Sequence, residues 1–130
     1  MKSAFEVWSF LKKEYEEDKR IKGMRILNLI REFELQKMKD SDTIKEYSDR
    51  LLNITNKVRL LGSKFSDSRL VQKILVTVPE RFEATISSLE NTKDLSKISL
   101  AELLNALQAQ EQRRLMRSEW SVEGALPAKV

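Results

Sequence analysis

Residues 42–62, DTIKEYSDRLLNITNKVRLLG, constrain the fold of this chain more than any other stretch. Ile44, Tyr47, Leu51, Ile54, Val58 and Leu61 recur at steps of three and four, which lays one apolar stripe along a helix. Thr43 followed by Glu46 three residues later is a capping box, and Gly62 falls where a left-handed C-terminal cap belongs. Both ends and the buried face are thus specified, and the helix needs apolar cover from other helices. Such a stripe is ordinary core and carries no functional information by itself.

The remaining chain reads as further helices. Residues 3–17 open with a second capping box, Ser3 and Glu6, and place Phe5, Trp8, Leu11 and Tyr15 on one face, expected to pack into the core. The polar run EEDKR, residues 16–20, is expected to bend or break the helix. Residues 21–39 are apolar nearly all round: Ile26, Leu29, Ile30 and Phe33 lie on one side, and Ile21, Met24, Leu27, Leu35 and Met38 on the other. A helix of that kind is covered on both sides. Either its own domain sandwiches it, or one side meets a second copy or an upstream segment. Gly23 within it marks a kink or a close approach of another backbone. Ser66 or Asp67 caps a helix carrying Leu70, Val71, Ile74, Leu75 and Val78, which Pro79 ends. Phe82, Ile86 and Leu89 mark another helix. Ser99 with Glu102 opens the last, which carries Leu100, Leu103, Leu104 and Leu107. The tail SEWSVEGALPAKV has no period and reads as a linker. No alternation of period two persists, so the fold class is all-α, with long helices and short loops.

Composition narrows the function. At 130 residues the chain has room for one domain or two small lobes, and 41% apolar with 34% charged residues suits a soluble helical protein. No apolar run approaches the roughly 20 residues of a membrane span, and an intracellular protein is expected. Cysteine and histidine are absent, which excludes disulfides, Cys/His zinc sites and imidazole catalysis by this chain. No Gly-rich phosphate loop, calcium loop or nucleophile elbow is present, and no carboxylate pair is sheltered in an apolar setting. An enzyme is not expected, nor a cofactor, a metal or a small-molecule substrate. The net charge of +4 does not mark a nucleic-acid surface, because residues 1–40 hold ten basic and eight acidic side chains and residues 99–130 four of each. What remains is apolar surface, which points to packing between helices or between chains.

The order of motifs says more. AFEVWSFLKKEYE, then MRILNLIREFELQKMKDSDTIKEYSDRLLNITNKVRLLG, then LVQKILVTVPERFEATISSLE and SLAELLNALQAQEQRRL together resemble the capsid region of Gag polyproteins of copia-type LTR retrotransposons, particularly those of plants. The resemblance spans residues 4–117. The stretch from Asp42 is also similar to the major homology region of retroviral capsids. Asp42 falls at its acidic position, Ile44 and Tyr47 at two aromatic positions, Arg50 at the arginine, and Leu51 at a further aromatic one. The Gln-Gly pair of that region would fall on Met38 and Lys39 and is lost. A remnant link between Asp42 and Arg50 is the expectation.

The resemblance implies a capsid-like bundle of about six helices. Residues 1–40 would be the end of an N-terminal lobe, 41–117 a four-helix C-terminal domain, and 118–130 a linker or disordered tail. It implies a structural protein whose partner is itself, as a homodimer or larger homo-oligomer that builds a cytoplasmic virus-like particle. RNA would be contacted mainly by a downstream segment. Candidate self-association residues are Leu27, Ile30 and Phe33, together with Leu70, Val71, Ile74 and Leu75 on the helix at 69–78. Two rivals stand beside this reading. One is a helical module binding RNA weakly through Arg113, Arg114 and Arg117, with Trp120 for stacking. The other is a Gag-derived adaptor that binds a cellular protein.

Overall fold

The computed structural model describes residues 3–125, with side chains described through residue 120. The described residues form five α-helices and no strand. These are α1 (Ala4–Leu35), α2 (Ile44–Leu60), α3 (Asp67–Thr77), α4 (Glu83–Thr92) and α5 (Leu100–Ala125), with a 3-10 turn at Glu80–Phe82 ahead of α4.

The helix starts follow the caps. Hydroxyls of Ser3, Thr43 and Ser99 each accept the backbone N–H of the residue three positions on, at 3.2, 3.1 and 3.1 Å. Ser66, rather than Asp67, is the N-cap of α3 and accepts from Arg69 N–H at 3.3 Å. At the end of α2, Gly62 adopts φ +90°, its N–H bonds Arg59 C=O at 2.9 Å, and Ser63 N–H reaches back to Val58 C=O at 3.3 Å. That is a Schellman closure, which needs the positive φ that glycine tolerates.

Two expectations about helix limits are corrected. The polar run at 16–20 does not break the chain: α1 is one helix of 32 residues, about 48 Å long. Glu, Lys and Arg are good helix formers, and the run contains no glycine, proline or cap, so it carries no stop signal. Its polarity reflects exposure. Gly23 lies inside this helix, and a Cβ built on it would meet nothing within 4 Å, so no backbone of this chain approaches it. At the other end, α5 continues through Ala125, into the stretch expected to be a linker. The rest of the expected linker, 126–130, lies outside the described residues.

The chain divides into two compact units, and the division falls inside α2. The first comprises Met1–Leu35 with Asn53–Phe65. Its buried side chains are Phe33, Ile54, Val58 and Phe65, with Thr55. Phe33 and Phe65 meet edge-to-face, with ring centroids 4.8 Å apart. The loop after α2 is held by Arg59, whose Nε and Nη2 donate to Phe65 C=O at 3.1 and 2.8 Å.

The second unit comprises Gln36–Leu52 with Ser66–Val130. Its core contains Ile44, Tyr47 and Leu51 of α2, Leu70, Val71 and Ile74 of α3, and Phe82, Ile98, Leu103 and Leu107. Helix α5 runs beside both α3 and α4. Glu111 of α5 caps α2 from a distance: its carboxylate accepts Ile44 N–H at 2.9 and 3.1 Å. A negative group at a helix N-terminus satisfies an orphan donor and opposes the helix dipole.

Candidate functional site

The connection between α1 and α2 is held by two arginines. Arg50 grips Asp42 with both arms, Nη1 to Oδ1 at 3.2 Å and Nη2 to Oδ2 at 2.9 Å. Oδ2 also accepts Lys39 N–H at 2.9 Å. Arg81, from the turn ahead of α4, donates Nη1 to Asp40 C=O at 3.0 Å and Nη2 to Asp42 C=O at 3.1 Å. Beside this clasp Tyr47 is buried, its Oη 2.6 Å from Thr77 Oγ1. Thr77 Oγ1 also donates to Lys73 C=O at 2.5 Å and the Tyr47 O–H also reaches Gln36 C=O at 3.3 Å, so the two hydroxyls form one network with those carbonyls.

The electrostatics follow from these contacts. The Arg50 guanidinium, helped by Lys39 N–H, pulls the Asp42 carboxyl from 3.8 down to about 2. The same hydrogen bond pushes Arg50 up, and burial pushes Tyr47 up. Asp42 is therefore locked as an anion and Tyr47 as a neutral phenol. Neither is poised to exchange a proton near neutrality. No group of three or more Asp and Glu among the described residues is arranged to hold a metal ion.

Asp42, Ile44, Tyr47, Arg50 and Leu51 thus come together. Ile44, Tyr47 and Leu51 are core, and Asp42 with Arg50 forms the expected link. The candidates for self-association divide differently. Phe33, Leu70, Val71 and Ile74 are buried in this chain, and Ile30 and Leu75 are partly covered. Leu27 is 67% exposed. Periodicity shows that a helix has an apolar face and leaves open what covers it.

The largest departure is in α1. Phe5, Trp8, Leu11 and Tyr15, expected in the core, are 74%, 58%, 56% and 68% exposed. Every residue from 3 to 22 is exposed. At about 100° per residue these four fall on the same side of α1 as Ile26, Leu29, Ile30 and Phe33, which are partly or fully covered. Two apolar groups therefore share one side of α1, separated by Lys19 and Lys22, and this chain covers only the C-terminal group. Leu60 and Val76 are also exposed, at 86% and 83%, in keeping with their place off the apolar stripes of their helices. Arg113, Arg114 and Arg117 lie exposed on α5, beyond the part that packs.

Residues 1–119 match the family described as the gag-polypeptide of LTR copia-type. The chain belongs to that family. No curated protein and no solved structure matches this Gag chain. The match covers all five helices up to the last turns of α5, so the clasp and the uncovered stripe both lie within the Gag region. Arg81 was missed by sequence reading, because nothing local distinguishes an arginine that will bond two carbonyls some forty positions away.

Proposed function

We propose that this copia-type Gag chain is a capsid-type structural domain that self-associates through α1 to build a particle around the element's RNA. The observation that carries this reading is the uncovered stripe of α1. A side of the helix that is core at one end is left uncovered at the other, at Phe5, Trp8, Leu11 and Tyr15. Fully burying side chains of this size is worth roughly 1.5–3 kcal/mol each, so two such faces pressed together offset a substantial association cost. Large apolar side chains gathered exposed on one helix face are the kind of surface that marks an interaction site. In this reading α1 belongs to an N-terminal lobe, and residues from 41 onward form the C-terminal capsid-like domain. Assembly takes place in the cytoplasm, and the principal RNA contacts lie in a downstream segment.

The test is sedimentation velocity over a concentration series, comparing the natural chain with the double variant Trp8→Glu, Leu11→Glu. Both residues are exposed, and the contacts of Trp8 with Phe5 and Lys12 lie within α1 itself, so the variant is expected to change its melting temperature little and lose association. A natural chain that stays monomeric at high micromolar concentration would refute the proposal, as would a variant that associates unchanged.

A further inference from the structure

Along the sequence, positive and negative side chains alternate; the fold gathers part of the positive charge in one place. Between α4 and α5 lies a groove of about 620 Å³, lined by Arg81, Arg113, Arg114 and Arg117, with no carboxylate among its lining side chains. Thr85 of α4 bonds Gln110 of α5, whose amide donates to Arg81 C=O, so the floor is tied across both helices. Small residues, among them Ala106 and Ala109, leave that floor open.

The four arginines are not equivalent. Arg81 is committed to the carbonyls of Asp40 and Asp42. The side chains of Arg113, Arg114 and Arg117 make no hydrogen bond or ion pair with any described residue. Three like charges within two turns of one helix repel one another; the groove itself offers them no carboxylate, and only Arg114 also borders a neighbouring pocket lined by Asp40 and Glu80. An anion between α4 and α5 would offset them. Guanidinium forks suit oxyanions, phosphate and carboxylate alike.

Trp120 separates those two ligands. It is 74% exposed and makes no ring contact among the described residues. At about 100° per residue it falls on the same face of α5 as Ala109, Arg113 and Arg117. A cationic track ending in an exposed indole is the combination that holds a single strand, the phosphates on the charges and a base on the ring. We propose that the α4–α5 groove binds single-stranded nucleic acid, with Arg113, Arg114 and Arg117 on the phosphodiester backbone and Trp120 stacked on an unpaired base. This site is independent of the α1 surface.

Fluorescence anisotropy of a labelled short oligouridylate, titrated with the whole 130-residue chain, tests it. Three neutralised phosphates give a single-strand salt slope of about −2, so affinity is expected to fall about 20-fold between 50 and 200 mM salt. Arg113→Glu with Arg117→Glu is expected to weaken binding by about tenfold or more. Arg20→Glu with Lys22→Glu, on exposed α1 positions and with the same charge change, is expected to do far less. Trp120→Ala should weaken binding by a further several-fold. All these positions are exposed, and far-UV circular dichroism confirms that the helices persist. Absence of binding at 50 mM salt, or equal weakening by the two charge pairs, overturns the proposal. So does polyglutamate competing as well as unlabelled oligonucleotide, because the groove would then take an acidic polypeptide.

Discussion

Replacing Asp42 by Asn removes the charge that Arg50 holds and leaves an oxygen for Lys39 N–H. The folded carboxyl lies at about 2 against an ordinary 3.8, and each unit of difference corresponds to about 1.4 kcal/mol. That sets an upper bound of about 2.5 kcal/mol. The Asp42 side chain is 10% exposed but Arg50 is 40% exposed, so solvent screens the pair and about 1 kcal/mol is the expected loss at pH 7. The sign follows from the depressed value. Stabilisation is present above about 3.8 and disappears as pH falls through about 2. Urea unfolding of the natural chain and Asp42→Asn, at pH 7 and at steps down to pH 2, measures the difference between them. The gap is expected to close with acid, while carboxylates common to both chains cancel. A gap that stays constant down to pH 2, or none at pH 7, would show that the clasp contributes no net charge-dependent stability.

Gly23→Ala is expected to stabilise the chain by about 1 kcal/mol, because the position is helical and the added methyl meets nothing, raising the melting temperature by about 3–5 °C. If the same substitution weakens association in sedimentation, the glycine admits a second copy's backbone. Leu70→Ala and Leu27→Ala form a contrasting pair. Leu70 is fully buried and should cost about 2–5 kcal/mol in a thermal melt. Leu27 is two-thirds exposed and should change the melt by less than about 0.5 kcal/mol.

Helix ends were legible because caps are local. Ser3, Thr43 and Ser99 each bond the residue three positions on, and Gly62 closes α2 with the backbone it alone adopts easily. The link between Asp42 and Arg50 was legible from a motif, since both residues lie within two turns of one helix start. The extent of α1 was not. A polar stretch looks like a break when neighbouring segments are assumed to turn back on each other, and only geometry shows that residues 3–22 have no cover to be broken from. By contrast, helical period did separate Leu70, Val71 and Ile74, which are buried, from Val76, which is exposed. Arg113, Arg114 and Arg117 were legible as a basic cluster on one helix, RRLMR, whereas the groove they line with Arg81 was not, because Arg81 and the α4 wall come from elements distant in sequence.

The uncovered part of α1 has a consequence for how this Gag chain reaches its working form. A helix in water without tertiary contacts is marginal unless long and rich in favourable pairs. Residues 3–22 are exposed, and what supports them locally is the continuous helix behind them and contacts within it such as Lys12 Nζ over the Trp8 ring at 5.1 Å. Their aromatic side chains gain little while exposed. In the proposed assembly, burial against a partner would supply both the affinity of the contact and most of the order of the helix that makes it, so that association and ordering would be coupled. The second unit needs no such help, since its core closes within one chain around Tyr47, Leu51, Leu70 and Leu103. A stable module that carries an interaction helix completed only by a partner can remain folded as a monomer and still add copies, which is the division of labour that assembly from single subunits requires.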